Sequence, residues 1–365
     1  MSRLLQARAS FWTATHEIDV LDFTEEFGVT QAPPKTAADP EHATRKGLAA
    51  AALVLACALW GLSFPLVKTL HIDQASRVPG ASSEFLSAWI LSARFMVAAL
   101  LLAPVVARMG WVRRLEVGQG LRLALYGGVG IGLQVDGLAY TEASTSAFLT
   151  QAYCVLLPLW AAIQTRRLPS TRVAGATVLV LFGGAILAGL RPDHLAIGRG
   201  ELETLLAALF FAFQILTLEN PRFTANRGRP VTFVMCVGIA VLFFPMAFLT
   251  APEPFALVTA GASWATMFMV LMLAVLCTVG SFLLMNTWQK RLPATEAGLI
   301  YTTEPVFTAG YALVLPVMLG GMAGVIYPNE TLTVSLLAGG SLILIANVWM
   351  QWRRKPHRPA VAPAP

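Results

Sequence analysis

Charged side chains are scarce in this sequence. They make up 13% of the 365 residues, whereas hydrophobic residues make up 56%. In soluble domains roughly a quarter of all residues are charged, and these residues are needed to cover the surface. The mean hydropathy is +0.65, and apolar runs of the roughly 17 to 25 residues that cross a bilayer recur along the chain. The sequence therefore predicts an all-α integral membrane protein and not a set of soluble domains.

Histidine and cysteine are also few. The five histidines lie outside the apolar runs, and the four cysteines lie inside them without a CxxC pair. Such cysteines are typically small buried hydrophobic residues and not disulfides or metal ligands. A metal site or a histidine-based catalytic centre at membrane depth would have almost no ligands, and no GxxxxGK[ST] loop for ATP is present. We expect no metal, no cofactor and no enzymatic activity.

The two ends of the chain differ from the rest. Residues 1–46 contain several acids and prolines and have no apolar core of signal-peptide length. We predict a flexible cytoplasmic tail there; a start codon assigned upstream of the true one is the alternative. Residues 353–365 are basic and rich in proline, and we predict a second cytoplasmic tail.

Hydropathy windows between the tails predict ten membrane-spanning helices. The third of them is the least hydrophobic and the richest in glycine. The predicted spans are 47–69, 85–107, 119–139, 144–164, 171–190, 200–219, 230–250, 263–287, 294–317 and 332–351.

Lysine and arginine concentrate in alternate connections between these spans. With the N-terminus inside, every cytoplasmic connection is basic, whereas the alternate connections hold Arg77, Arg191 and Arg199, with Lys68 at the edge of a span. Cationic loops resist translocation. Both termini are therefore predicted on the cytoplasmic side of the inner membrane, and the net charge of +6 requires no nucleic acid partner.

The two halves of the chain match at an offset of 150 residues. Residues 58–60 (ALW) fall on 208–210 (ALF), residues 145–147 (TSA) fall on 295–297 (TEA), and Asp136 falls on Asn286. Each repeat, 47–190 and 199–352, holds five predicted spans. Because five is odd, the second repeat must lie inverted relative to the first, and inverted repeats are typical of secondary transporters.

Four stretches carry a resemblance to a known family. They are LACALWGLSFPLVK (55–68), TSAFLTQAYCVLLPLWAAI (145–163), LPATEAGLIYTTEPVF (292–307) and NETLTVSLLAGGSLIL (329–344). They resemble the first, fourth, ninth and tenth helices of the drug/metabolite transporter superfamily, EamA type, and the resemblance covers about 47–352. It implies ten helices around a central cavity lined by both repeats, without indicating a substrate. The long N-terminal tail and the loop at 317–331 depart from the family pattern.

A carboxylate lies deep in the ninth predicted span. Charge at the bilayer centre is costly unless it faces a polar cavity, finds a partner or is neutralised by a proton. Helical spacing places Tyr301, Glu304 and Thr308 on one face, and Pro305 removes a backbone hydrogen bond beside them. Glu304 is our candidate for binding substrate or carrying a proton; the alternative is a structural bond to a neighbouring helix.

Other polar side chains at membrane depth are also candidates. Arg94, in the middle of the second span, is expected to pair with Glu304, with Asp136 or with a substrate carboxylate, or else to reach towards an interface. Gln134 and Asp136 are two positions apart and project about 200° apart on a helix. At most one of these two therefore faces the cavity, and we select Gln134.

The remaining cavity candidates lie on equivalent helices of the two repeats. Trp60, Phe64 and Gln214 belong to their first helices, and Gln151 is the fourth-span residue that matches Tyr301. Aromatic rings there could stack on an organic substrate. Packing between helices or contact with lipid is the alternative for them.

These patterns favour a secondary transporter. We expect an exporter of small organic metabolites, such as amino acids or amphiphilic compounds, that works by alternating access, with proton coupling through Glu304 as an option. A non-transporting membrane sensor or scaffold and a passive metabolite facilitator are the alternatives. The expected partners are a small-molecule substrate and the lipid bilayer; the sequence does not decide between a monomer and a homodimer.

Overall fold

The computed structural model describes residues 40–164, 166, 171–189, 197–292 and 294–351. These residues form helices joined by turns and loops, with no β-strand among them. The predicted tail at 353–365 and most of the predicted tail at 1–46 lie outside the described residues, as does Arg191 of the charge pattern.

The first helix of the first half is 38 residues long. The helices of this half are α1 Pro40–Arg77, α2 Ser83–Ala107, α3 Arg114–Gly137, α4 Ala143–Thr150, α5 Tyr153–Gln164 and α6 Thr171–Leu187. The helices of the second half are α7 Arg199–Glu219, α8 Gly228–Thr250, α9 Trp264–Arg291, α10 Ala294–Tyr301, α11 Glu304–Ala312, α12 Leu315–Ala323 and α13 Val334–Gln351. Within α9, the π-helical segment Leu273–Gly280 separates two α-helical parts.

Each of the ten predicted spans falls largely on helical residues, but fewer helices qualify as membrane spans by length and composition. In the described part of the chain five do so: α1 from Lys46, α2, α7, α8 and α9. The pair α11 and α12, bent by 59°, makes a sixth if it is taken as one span. The spans predicted at 144–164, 171–190 and 332–351 correspond to shorter apolar helices, and 119–139 corresponds to the less hydrophobic α3.

Serine side chains set the start of two long helices. The hydroxyl of Ser82 accepts a hydrogen bond from the backbone N–H of Phe85 at 3.2 Å, before α2. The hydroxyl of Ser263 does the same for Ala265 at 3.2 Å, before α9. These caps satisfy N–H groups that have no partner inside the helix.

Helix α1 continues to Arg77, well beyond the predicted end at 69. The added turns are polar, yet they are buried because their side chains find partners on other helices. His71 Nε2 lies 3.0 Å from the carbonyl of Val135, and Thr266 donates its hydroxyl to Asp73 at 2.5 Å. The prediction that all five histidines lie outside the spans is therefore wrong for His71, which is 4% exposed.

Helices of the first half pack mainly on helices of the second half. Helix α2 packs along α8, α3 lies against both α7 and α8, α1 contacts α9 and α11, and α6 packs on α13. Glycines allow two of these contacts to be close. A Cβ on Gly137 would lie 2.9 Å from the carbonyl oxygen of Gly200, and a Cβ on Gly200 would lie 2.6 Å from that of Gly137. Gly183 of α6 and Gly339 of α13 face each other in the same way, at 2.7 Å in both directions.

Two helices of the bundle are interrupted at matching places. One break, at 151–152, separates α4 from α5; the other, at 302–303, separates α10 from α11. Pro305, near the start of α11, has no N–H to continue the hydrogen-bond ladder of α10. The two breaks are related by the offset of the sequence repeat to within one residue.

Candidate functional site

A cavity of about 70 Å³, measured as the space open to the centres of water molecules, lies between helices of both halves. One water needs roughly 10–15 Å³ on this measure, so the cavity has room for several. The lining residues are Trp60, Ser63, Arg94, Ile131, Gln134, Thr150, Tyr153, Phe211, Gln214, Ile215, Phe282, Met285, Tyr301 and Glu304.

Most of the residues predicted from the sequence meet in this cavity. They come from α1, α2, α3, α7, α10 and α11, which are far apart in the chain. The predicted residues that line it are Trp60, Arg94, Gln134, Gln214, Tyr301 and Glu304. Phe64, Gln151 and Thr308 are buried elsewhere.

Glu304 is the first residue of α11 and is 8% exposed. Its carboxylate lines the cavity, and no residue in the described part of the chain donates a hydrogen bond to it or forms an ion pair with it. The N-terminal end of α11 provides a partial positive charge beside it. The carboxylate is therefore available to a cationic group of a solute or to a proton.

Arg94 is 1% exposed and also lines the cavity. Its Nε donates to the hydroxyl of Thr278 at 2.5 Å, and its Nη2 donates to the carbonyl of Cys277 at 2.9 Å. Both acceptors are neutral and lie in the π-helical segment of α9, a form of helix that is frequent at functional sites. Among the described residues, no carboxylate lies within ion-pair distance of Arg94, so the expected pairing with Glu304 or Asp136 is absent.

Four aromatic side chains pack against one another between Arg94 and Tyr301, and we call them the aromatic wall: Trp60, Phe95, Phe282 and Tyr301. The ring of Phe95 lies 5.3 Å below the guanidinium of Arg94 and 6.3 Å from Phe282. The ring of Trp60 meets Phe282 edge-on at 5.6 Å and lies 5.8 Å from Tyr301. These separations are those of attractive aromatic pairs, and the rings of Trp60, Phe282 and Tyr301 give the cavity an apolar side.

Two glutamines add amide groups to the cavity. Gln134 uses its Nε2 to donate to the hydroxyl of Thr150 at 2.8 Å. Gln214 is 4% exposed, and its Nε2 has no hydrogen-bond partner. A Cβ on Gly127 would lie 2.8 Å from that nitrogen, so glycine at 127 makes room for the amide. An unsatisfied buried donor is costly, and an acceptor on a solute would satisfy this one.

The cavity is not lined by Phe64, which was expected there from its place on the first helix, or by Thr308, which was expected there from helical spacing. Helix α1 presents Trp60 and Ser63 to the cavity, and Phe64 packs into the core at 1% exposure. The hydroxyl of Thr308 donates to the backbone carbonyl of Glu304 at 3.1 Å and lies 3.1 Å from where a Cβ on Gly61 would be. Thr308 therefore faces α1.

Neither Gln151 nor Asp136 lines the cavity. Gln151 is fully buried in the turn between α4 and α5. Asp136 accepts hydrogen bonds from Ser87 at 3.0 Å and from Arg199 at 2.6 Å. Gln134 lines the cavity and Asp136 does not, as their separation of two positions predicts.

Sequence reasoning missed several lining residues, among them Tyr153, Phe211 and Phe282. Tyr153 is the first residue of α5, as Glu304 is the first residue of α11. The repeat offset of 150 pairs Glu304 with Cys154, one residue away. The signal for Tyr153 was thus present in the repeat, but the break between α4 and α5 shifts the correspondence by one residue.

Comparisons with known proteins find one curated relative of note. No family model matches the chain. A protein of Archaeoglobus fulgidus named an uncharacterized transporter is 26% identical over 255 residues, which cover 70% of this chain and 74% of that protein. A solved structure described only as "Crystal structure of protein" has a TM-score of 0.47 at 18% identity, over 80% of this chain and 96% of its own. A TM-score below 0.5 does not establish a shared fold.

Proposed function

We propose that this chain is a secondary transporter of small organic solutes that works by alternating access. The observation that carries the proposal is the cavity, in which the carboxylate of Glu304 and the guanidinium of Arg94 are both buried without an opposite charge from the protein. Charges inside a membrane protein are costly and typically mark a solute or ion pathway. The apolar helices and the archaeal relative named a transporter support the same general class.

We propose further that the chain has the architecture of the drug/metabolite transporter superfamily, EamA type: ten spans in two inverted repeats. The matching breaks at 151–152 and 302–303 support the repeat. The packing of equivalent helices on each other, α2 on α8 and α6 on α13, supports a two-fold relation between the halves. The charge pattern supports cytoplasmic termini and an inner-membrane location.

The cavity suits a solute that has an acceptor group, an apolar body and a cationic or hydrogen-bond-donating group. Arg94 and the unsatisfied amide of Gln214 would bind the acceptor group. The aromatic wall would contact the apolar body, and Glu304 would bind the cationic group. Amino acids and related amphiphilic metabolites have this composition. We propose export as the direction, on the family resemblance alone.

Glu304 gives the transporter a means of coupling to protons. A bare carboxylate in an emptied, closed cavity is unfavourable, so the cavity changes the side to which it opens only when either a solute or a proton is bound to Glu304. Solute and proton then exchange at the same group. The helix breaks at 151–152 and 302–303 lie next to residues that line the cavity. At each break the two parts of the interrupted helix can tilt relative to one another, since irregular backbone is tolerated at membrane depth where it lines a cavity.

Transport by purified protein in liposomes tests the proposal. Vesicles preloaded with single amino acids or aromatic metabolites are diluted into medium with radiolabelled solute, and exchange is measured with and without a pH gradient. We expect saturable exchange for at least one solute and accumulation against its gradient when the pH gradient is imposed. Exchange without such accumulation would favour the passive facilitator, and the absence of exchange for every solute would favour the sensor or scaffold.

A further inference from the structure

The loop between α2 and α3 exposes an aromatic residue among arginines. Trp111 is 96% exposed, the highest value among the large hydrophobic side chains in the described part of the chain. Arg108, Arg113 and Arg114 around it are exposed as well. None of the three forms an ion pair within the residues that the structure describes. We call these four residues the Trp111 patch.

The backbone of this loop is held in place from the second half of the chain. Arg227 donates from Nη1 to the carbonyl of Met109 at 3.1 Å and from Nη2 to the carbonyl of Trp111 at 3.0 Å. Arg227 is itself bound to Glu116, Nε to Oε1, at 2.7 Å. The side chains of the Trp111 patch are therefore presented from a fixed backbone.

No exposed carboxylate competes for these arginines within their own segment. Glu116 is the one acid between residues 108 and 122, and it is fully buried. Its oxygens accept hydrogen bonds from Arg227 and from the backbone N–H of Arg113 at 2.8 Å. The patch therefore presents unneutralised positive charge.

The loop directly follows α2, a helix long and apolar enough to cross a membrane, so we expect the loop at the level of the lipid headgroups. Leu100 near the end of α2 is 65% exposed, and Leu115 and Leu121 at the start of α3 are 44% and 53% exposed. These side chains form an outward apolar surface suited to acyl chains, and the Trp111 patch lies immediately beyond it. Tryptophan favours this boundary, and arginine binds phosphate through paired N–H groups.

We propose that the Trp111 patch binds the phosphate headgroups of anionic phospholipids. The arginines neutralise the headgroup, and the indole of Trp111 lies at the boundary between headgroup and acyl chain. A zwitterionic lipid binds less well because its own cation opposes the arginines. This site is separate from the cavity, and its binding does not depend on the proposed transport function.

Lipid counting by native mass spectrometry tests this site. Purified full-length protein in neutral detergent is titrated with phosphatidylglycerol or with phosphatidylcholine. Each arginine near an anionic headgroup strengthens binding about fivefold, so the double variant Arg108→Gln/Arg113→Gln should bind phosphatidylglycerol about thirtyfold more weakly. Trp111→Ala should weaken binding by a smaller factor.

The matched control removes two arginines from the same end of the bundle. Arg222 and Arg229, in and after the connection between α7 and α8, are also exposed, and the variant Arg222→Gln/Arg229→Gln should retain most of the affinity. Equal losses in the two double variants, or equal affinity of the native protein for both lipids, would overturn the proposal. Binding of inorganic phosphate with the same arginine dependence would overturn the assignment to a lipid.

Discussion

Glu116 and Asp136 stand at opposite ends of α3, and an arginine from the second half of the chain binds each of them. Arg227 donates to Glu116 at 2.7 Å, and Arg199 donates to Asp136 at 2.6 Å. At 1.5 Å per residue the two carboxylates are ~30 Å apart along the helix, which is about the thickness of the hydrocarbon core. Because α3 also packs along α7 and α8, we expect it to move with these helices during transport and not with the rest of its own half.

The ion pair between Glu116 and Arg227 should make the thermal stability of the protein depend on pH. Hydrogen bonds from Arg227 lower the pKa of Glu116 to about 2 from 4.5. A lowered carboxyl pKa contributes stability above the unfolded value, and that contribution disappears as pH falls through the folded value. In detergent, Glu116→Gln should therefore have a lower Tm than the native protein at pH 7, and the difference should shrink below about pH 4.5.

The exposed carboxylate Glu253, in the connection between α8 and α9, provides the control for this measurement. Glu253→Gln should leave the Tm unchanged across the same pH range. A Tm difference for Glu116→Gln that is as large at pH 3 as at pH 7 would contradict the account.

Glu330 should produce a pH dependence of the opposite sign. It accepts a hydrogen bond from the backbone N–H of Ala143 at 2.8 Å and another from the hydroxyl of Ser144, and so caps α4. Burial, together with the carboxylate of Glu142, raises the pKa of Glu330. A raised carboxyl pKa contributes stability at low pH that is lost as pH rises through it. Lowering the pH towards the unfolded value of 4.5 should raise the Tm of the native protein relative to Glu330→Gln, and parallel Tm profiles of the two proteins would refute this.

The close contact between α3 and α7 should not tolerate a methyl group. Gly200→Ala would place its Cβ 2.6 Å from the carbonyl oxygen of Gly137, so the helices must separate. Overpacking of this kind costs about 1–3 kcal/mol. Gly310→Ala in α11 is the control, since nothing lies within 4 Å of the added Cβ. Unfolding in sodium dodecyl sulfate should give a lower free energy for Gly200→Ala alone; equal values for both variants would contradict the packing described.

Arg94 should act through the shape of its guanidinium as well as its charge. A lysine at this position keeps the charge but cannot donate to Thr278 and Cys277 while also presenting paired N–H groups to the cavity. A charge-assisted hydrogen bond contributes about 1.5–3 kcal/mol, so Arg94→Lys should raise KM roughly tenfold or more. The KM of exchange in liposomes measures this. Thr278→Ser, which retains the hydroxyl, should have a near-native KM; a near-native KM for Arg94→Lys would remove the guanidinium from the binding site.

Much of the fold could be predicted because apolar runs and helices coincide. The predicted spans at 85–107, 200–219 and 230–250 agree with α2, α7 and α8 within two residues at either end. The end of α1 could not be predicted, because burial of residues such as Asp73 depends on a bond to a distant helix, here from Thr266 of α9. The break between α4 and α5 was missed because no proline marks it, whereas Pro305 indicated the one before α11.

The candidate site was predictable where a polar residue had no other reason to lie at membrane depth. Glu304, Arg94, Gln134 and Gln214 were found in this way. The aromatic lining residue Phe282 was missed because phenylalanine is common throughout apolar helices. The partners of Arg94 could not be predicted either, since a backbone carbonyl in a π-helical segment leaves no mark in the sequence.

The central claim is that Glu304 exchanges a solute for a proton, and uphill transport by Glu304→Gln tests it most directly. The solute that exchanges best is loaded into liposomes containing either protein, and its accumulation is followed after a pH gradient is imposed. The account predicts that Glu304→Gln, inserted and folded like the native protein, shows no accumulation driven by the pH gradient. If Glu304→Gln accumulates the solute as the native protein does, the account is contradicted and Glu304 is left with a role in helix packing.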